Sequence, residues 1–150
     1  MYEEKGMFSL IPFPQDDSGT LDASYLLVIK VLIEIMKQEK SWKRGELNTM
    51  VLYKEPDKKI VLTVVHEGTQ VTSYQANDSI GFHVIEGKLK LRIRNGSVII
   101  GSGERIELNE KTEYSFDSLE ETAFLLTVSS GRLHFQEVNY QRKKAKMTLV

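Results

Sequence analysis

At 150 residues, with 41% hydrophobic and 27% charged side chains, the chain has the size and balance of one domain that buries a core of its own. Twenty basic against twenty-one acidic residues leave a formal charge of -1, so no global field gathers nucleic acid or an anionic membrane. With no cysteine and three histidines, disulfides, thiolate nucleophiles, iron-sulfur clusters and cysteine-ligated zinc are excluded.

The opening MYEEKGMFSLIPFPQDD has an acidic start, no long apolar run and no small-residue cleavage site, which is the expectation for a cytoplasmic protein. Residues 1–41 read as an N-terminal extension carrying a helix over about 21–39. Within LDASYLLVIKVLIEIM, Leu26, Ile29, Ile33 and Met36 recur at helical spacing, and Tyr25, Val28, Leu32 and Ile35 form the adjoining row. Leu27 and Val31 spread the apolar surface over most of the circumference, leaving Lys30, Glu34 and Lys37 as a narrow polar stripe. A single packing face needs less, so the helix is expected to be deeply buried or shared, and a homodimer is the expected assembly. Asp22, Lys30 and Glu34 interrupt a run already shorter than the roughly 20 apolar residues of a membrane span.

After Trp42 the period changes to alternation, and residues 42–138 read as an all-β unit. The expected strands are NTMVLYK, KIVLTVVHE, IGFHVIE, KLKLRIR, SVIIG, ERIEL, TEYSF, TAFLLTV and RLHFQEV. Pro56-Asp57, Asn95-Gly96 and Gly101-Ser102-Gly103 are among the turn signals between them. Asn95-Gly96 is the strongest hairpin signal, because both residues tolerate positive φ. From Lys88 to Arg94 the alternation sends Leu89, Leu91 and Ile93 inward and Lys88, Lys90, Arg92 and Arg94 to a solvated face. Strands at this spacing indicate a sandwich or barrel. Residues 139–150 form a tail with four positive charges from Arg142 to Lys146, while residues 1–22 hold five acids against one lysine. No P-loop, dinucleotide-binding glycine run or G-x-S-x-G elbow is present.

The stretch GTQVTSYQANDSIGFHVIEG, from Gly68 to Gly87, resembles the first cupin motif: glycine, five residues, H-x-H, three or four residues, glutamate, six residues, glycine. The stretch from Gly103 to Ser118 resembles the second motif, a glycine followed by a P-x-G turn, a histidine and an asparagine. The resemblance covers about Trp42 to Val128 and implies a mainly β fold: a single jelly-roll barrel of two antiparallel sheets, preceded here by the helix. Its metal ligands do not carry over. The histidine positions of motif one fall on Tyr74 and Ala76, the glutamate on Ile80 and the motif-two histidine on Tyr114; the P-x-G turn falls on Asn109 and Lys111, and the asparagine on Ser118. A transition metal needs three or four imidazole, carboxylate or thiolate donors, so no metal and no other cofactor is expected.

If Ile80, Phe82 and Val84 take the inward orientation that the family pattern implies, His83 faces the opposite way. His66 and His134 have no partner at strand or helix spacing. The expected ligand-binding residues are then Tyr74, Tyr114, Ile80, Phe82 and Phe124, two phenols above an apolar wall inside the barrel. Three functions fit. The first is a metal-free small-molecule-binding or sensory protein; the second is a metal-independent isomerase or epimerase, with a buried tyrosine as general acid; the third is a homo-oligomerising interaction module whose barrel is filled by its own side chains. No nucleic-acid or membrane partner is expected.

Overall fold

The computed structural model describes residues 22–75, 78–94 and 96–129, apart from the side chains of residues 73–75. The expected strand RLHFQEV with its His134, the basic tail and the acidic N-terminal residues lie outside them.

Helix α1 spans Ala23–Met36. Asp22 starts it as N-cap, its carboxylate accepting from the Ser24 backbone N–H at 2.9 Å, which satisfies one of the first-turn donors. The helix stops three residues short of the expected end near 39. Gln38 and Glu39 donate to the carbonyls of Ile35 and Met36, three residues back, and such bonds tighten and close a last turn. The Asn48 side chain also donates to the Met36 carbonyl at 3.2 Å. A short helix α2, Lys40–Lys43, follows. Trp42 therefore belongs to a helix, and the first strand begins at Asn48, where the expected NTMVLYK begins.

The strands are β1 (Asn48–Glu55), β2 (Lys58–Val65), β3 (Gln70–Gln75), β4 (Ser79–Glu86), β5 (Lys88–Ile93), β6 (Gly96–Gly101), β7 (Arg105–Leu108), β8 (Glu113–Ser118) and β9 (Thr122–Ser129). They form two antiparallel sheets, ordered β1-β2-β9-β4-β7 and β3-β8-β5-β6. Among the described residues the jelly roll is thus two facing sheets, rather than one continuously hydrogen-bonded ring. Strand β3 has no counterpart among the expected strands. Its sequence QVTSYQ is polar, and its pairing with β8 shifts register between Val71 and Tyr74, which breaks the alternation by which a strand is recognised.

Two cores follow from the two faces of the five-stranded sheet. Between the sheets lie Val65, Val71, Ile80, Phe82, Val84, Leu89, Leu91, Ile100, Leu108, Tyr114, Phe116, Phe124 and Val128. Behind the larger sheet, Ile29, Ile33 and Met36 of α1 pack with Trp42 onto Leu52, Ile60, Leu62, Val64, Ile85, Ala123 and Leu125. The helix is held at its C-terminal end by Lys37, whose ammonium pairs with Glu121 and lies 4.0 Å from Glu86. A cation there also complements the helix dipole. Although burial opposes its charge, these carboxylates and Glu34 raise the Lys37 pKa above the ordinary lysine value. No helix among the described residues is long and apolar enough to cross a membrane.

Alternation along β4 sets Ile80, Phe82 and Val84 in the inner core and His83 on the outer face, where it pairs in register with Arg105 and Leu125. Burial, reinforced by the Arg105 charge, depresses the His83 pKa below its ordinary value. The unfolded chain therefore binds the proton more readily than the folded one. The stability that neutral His83 contributes is present above the unfolded pKa of about 6.5 and is lost as pH falls below it. Urea midpoints measured at about pH 7.5 and about pH 5.5 should show a larger acid-side loss in wild type than in His83→Gln.

Candidate functional site

The inner faces of β4, β8 and β9 converge on an aromatic cluster between the sheets. Phe82 is 1% exposed, Phe124 1% and Tyr114 3%. The Phe82 ring meets Tyr114 edge-on at 5.6 Å between centroids and Phe116 edge-on at 5.7 Å. Phe124 closes the group, tilted against Phe82 at 5.6 Å and edge-on to Phe116 at 5.5 Å. These are the separations at which aromatic quadrupoles attract. Ile80, 2% exposed, lies in the same core, two residues before Phe82 on β4. Of the five expected binding residues, the structure thus brings Ile80, Phe82, Tyr114 and Phe124 together. Tyr74 is the backbone partner of Tyr114 in the β3/β8 ladder; its side chain lies outside the described part.

Of the four positions at which a cupin would hold a metal, the structure describes the side chains of Ile80 and Tyr114. Ile80 offers only hydrocarbon, Tyr114 stands among phenylalanines, and among the described residues no group of three histidine, cysteine, aspartate or glutamate side chains could hold an ion. His66 is turned to another purpose. Its Nε2 lies 3.0 Å from the Trp42 carbonyl, and its ring stacks on the Trp42 indole at 3.5 Å, joining α2 to the end of β2.

Three polar or aromatic residues of this region were not singled out by sequence reasoning as interior groups. Phe116 completes the aromatic cluster and could have been found from the alternation of Tyr114, Phe116 and Ser118. Asp78 is a carboxylate 3% exposed at the head of β4, and nothing in Asn77-Asp78-Ser79 distinguishes it from a surface turn. Ser118, at the motif-two asparagine position, is 2% exposed. Its hydroxyl donates to the His66 carbonyl at 2.6 Å and accepts from the Thr69 N–H at 2.9 Å. It fastens the turn between β2 and β3 to the end of β8.

The motif glycines keep backbone roles where the ligands are gone. Gly87, between β4 and β5, has φ of 100°, and a Cβ there would lie 2.4 Å from Thr122 Oγ1 and 2.5 Å from the Glu121 carbonyl oxygen. At the P-x-G turn, Lys111 occupies the glycine position with φ of 63°, a left-handed conformation that a side chain disfavours. The turn survives without its glycine.

Solved structures share this two-sheet fold. A cupin superfamily protein from Desulfitobacterium hafniense superposes with a TM-score of 0.55 at 9% identity, over 57% of this chain and 79% of its own. The fold is that of the cupins. An RmlC-like cupin from Shewanella frigidimarina matches with a TM-score of 0.55 at 15% identity, over 61% of this chain and 82% of its own. A conserved protein of unknown function from Streptococcus pyogenes matches with a TM-score of 0.57 at 14% identity, over 65% of this chain and 86% of its own. No sequence-family profile and no curated protein matches the chain. The likeness therefore concerns the cupin fold alone.

The Gly87 contact gives a direct test of how this cupin fold is held. Gly87→Ala should lower stability by about 3 kcal/mol or more, since the methyl group both strains a positive φ and overlaps the Glu121–Thr122 backbone. Urea denaturation measures it.

Proposed function

We propose that this chain is a metal-free, non-catalytic cupin-fold interaction module, which acts through its surface while its barrel serves as core. The observation that carries this reading is the Phe82, Tyr114, Phe116 and Phe124 cluster, whose rings contact one another where a catalytic cupin needs donor groups and room for a substrate. A ligand entering there would have to displace aromatic packing of the kind whose loss costs about 3–5 kcal/mol per ring. The surface, by contrast, carries an apolar helix face of a kind that monomers rarely leave open.

Small-molecule binding through Tyr74 and Tyr114 is the competing reading, and one pair of measurements separates the two. Elemental analysis of untagged protein should find no stoichiometric zinc, iron, manganese or nickel. A thermal-shift screen against common sugars, organic acids and nucleotides should show no ligand-dependent rise. A ligand at 100 times its Kd would stabilise the fold by about 2.7 kcal/mol. Such a shift in wild type, abolished in the Tyr74→Phe/Tyr114→Phe double variant, would replace the interaction-module reading with small-molecule binding.

A further inference from the structure

Helix α1 buries one side and leaves an apolar one open. Ile29, Ile33 and Met36 are 3%, 0% and 1% exposed, whereas Leu27 is 65% exposed, Val28 49%, Val31 53% and Ile35 50%. At 100° per residue these four fall on one continuous stripe, opposite the buried row. A shallow groove of about 460 Å³ runs along it, lined by Lys30, Val31, Glu34, Ile35 and Gln38. Scattered exposed apolar residues need no explanation, but a contiguous stripe of β-branched and leucine side chains on one helix face does.

The charges beside the stripe say what fits it. Lys30 and Glu34 both lie on the same flank, one turn apart, so the face carries one cation and one anion. Within a single helix this order, lysine before glutamate, is the less favourable orientation of an i, i+4 pair. Across a two-fold axis near residue 32 the same two charges become complementary. A parallel two-fold pair would carry the Lys30/Glu34 flank of the second helix to the far side of the seam, leaving these charges without each other. An antiparallel one sets opposite charges together and brings Leu27 of one helix near Ile35 of the other, with Val31 close to the axis.

We propose that the exposed face of α1 is a self-association surface on which a second copy of this chain packs antiparallel, Lys30 of each protomer meeting Glu34 of the partner subunit. Such a contact is isologous: the same patch serves on both sides, and every favourable pair occurs twice. The inference rests on the interaction-module reading and names its partner as the chain itself.

Light scattering on the full chain at micromolar concentration should give twice the 17.2 kDa of one chain. Val31→Glu, which sets two carboxylates near the axis, should give the monomer with an unchanged urea midpoint per chain at low concentration. Lys30→Glu alone and Glu34→Lys alone should each weaken dimerisation roughly tenfold, because each creates two like-charge contacts. Mixing the two single variants should restore full affinity, since every 30/34 pair across the mixed interface is again opposite in sign. A wild-type mass of one chain, or dimers indifferent to these charges and to Val31→Glu, would overturn the proposal. The apolar segment MFSLIPF, residues 7–13, is the rival occupant. If it covers the stripe, wild type is monomeric and mixing rescues nothing, which also overturns the proposal. A monomer that binds neither metal nor small molecule would refute self-association and leave the interaction-module reading standing. Stoichiometric metal or a Tyr74/Tyr114-dependent ligand would refute that reading independently of the measured mass.

Discussion

Strands β2 and β9 pair along eight residues with side chains buried on both faces of the sheet. Leu62 and Val64 look outward with 0% exposure, and Phe124 looks inward with 1%. Neither face can meet water without a large hydrophobic loss. The inner face is covered by the second sheet, and a jelly roll ordinarily provides no cover for the outer one. Helix α1, α2 and the Trp42–His66 stack are the answer to that outer face. The ion pairs of Lys37 with the β8–β9 turn and with Glu86 at the end of β4 set where the helix ends upon it. Because the helix is narrower than the sheet, the β4 and β7 side is left with His83, Arg105 and Glu107, polar residues suited to partial exposure.

How far the sequence can be read depends on how much of each element is decided locally. The helix, the Lys88–Arg94 alternation and the hairpin after it are legible because each is a periodic pattern within one element. Which side of α1 is buried is not legible, since Val28 and Ile35 look as good a core row as Ile29 and Ile33. Only the shape of the sheet beneath it decides. The end of the helix is misjudged because Lys37, Gln38 and Glu39 are good helix formers, whereas the chain must turn there to place Trp42 under the sheet. Strand β3 is hidden by its register shift, and Asp78 by the ordinary polarity of its neighbours. The inward positions of Ile80, Phe82, Tyr114 and Phe124 were reached through the cupin resemblance. What they do there was not reachable, because the packing of four rings is a property of three strands at once.

The departures from the cupin motifs separate two kinds of constraint that the family pattern mixes. Ligand positions are free to change, and here they carry tyrosine, alanine and isoleucine. Backbone positions are not. Gly87 remains because the chain passes within 2.5 Å of where its Cβ would be. Ser118, no asparagine, still ties the β2–β3 turn to β8 through its hydroxyl. Lys111 shows the limit of this rule, for its turn keeps the left-handed backbone with a side chain in place of hydrogen. The difference is spatial: a Cβ at Gly87 meets another stretch of backbone, whereas Lys111 sits in an exposed turn.

Strand β9 occupies the middle of the five-stranded sheet, between β2 and β4, although it is the last described strand in the chain. On the ribosome the helix emerges first and the floor on which it docks is finished last, since Ala123 and Leu125 form part of that floor. Until residues near 129 have left the exit tunnel, β2 and β4 each lack a neighbour, and the buried row of Ile29, Ile33 and Met36 rests on a floor without Ala123 and Leu125. Closure of this sheet consequently waits for a central strand that is made after both of its neighbours. The long-range pairing this demands makes it slow compared with helical domains of equal length. It also leaves an apolar helix and two open strand edges exposed to neighbouring chains during translation, the interval in which such surfaces aggregate.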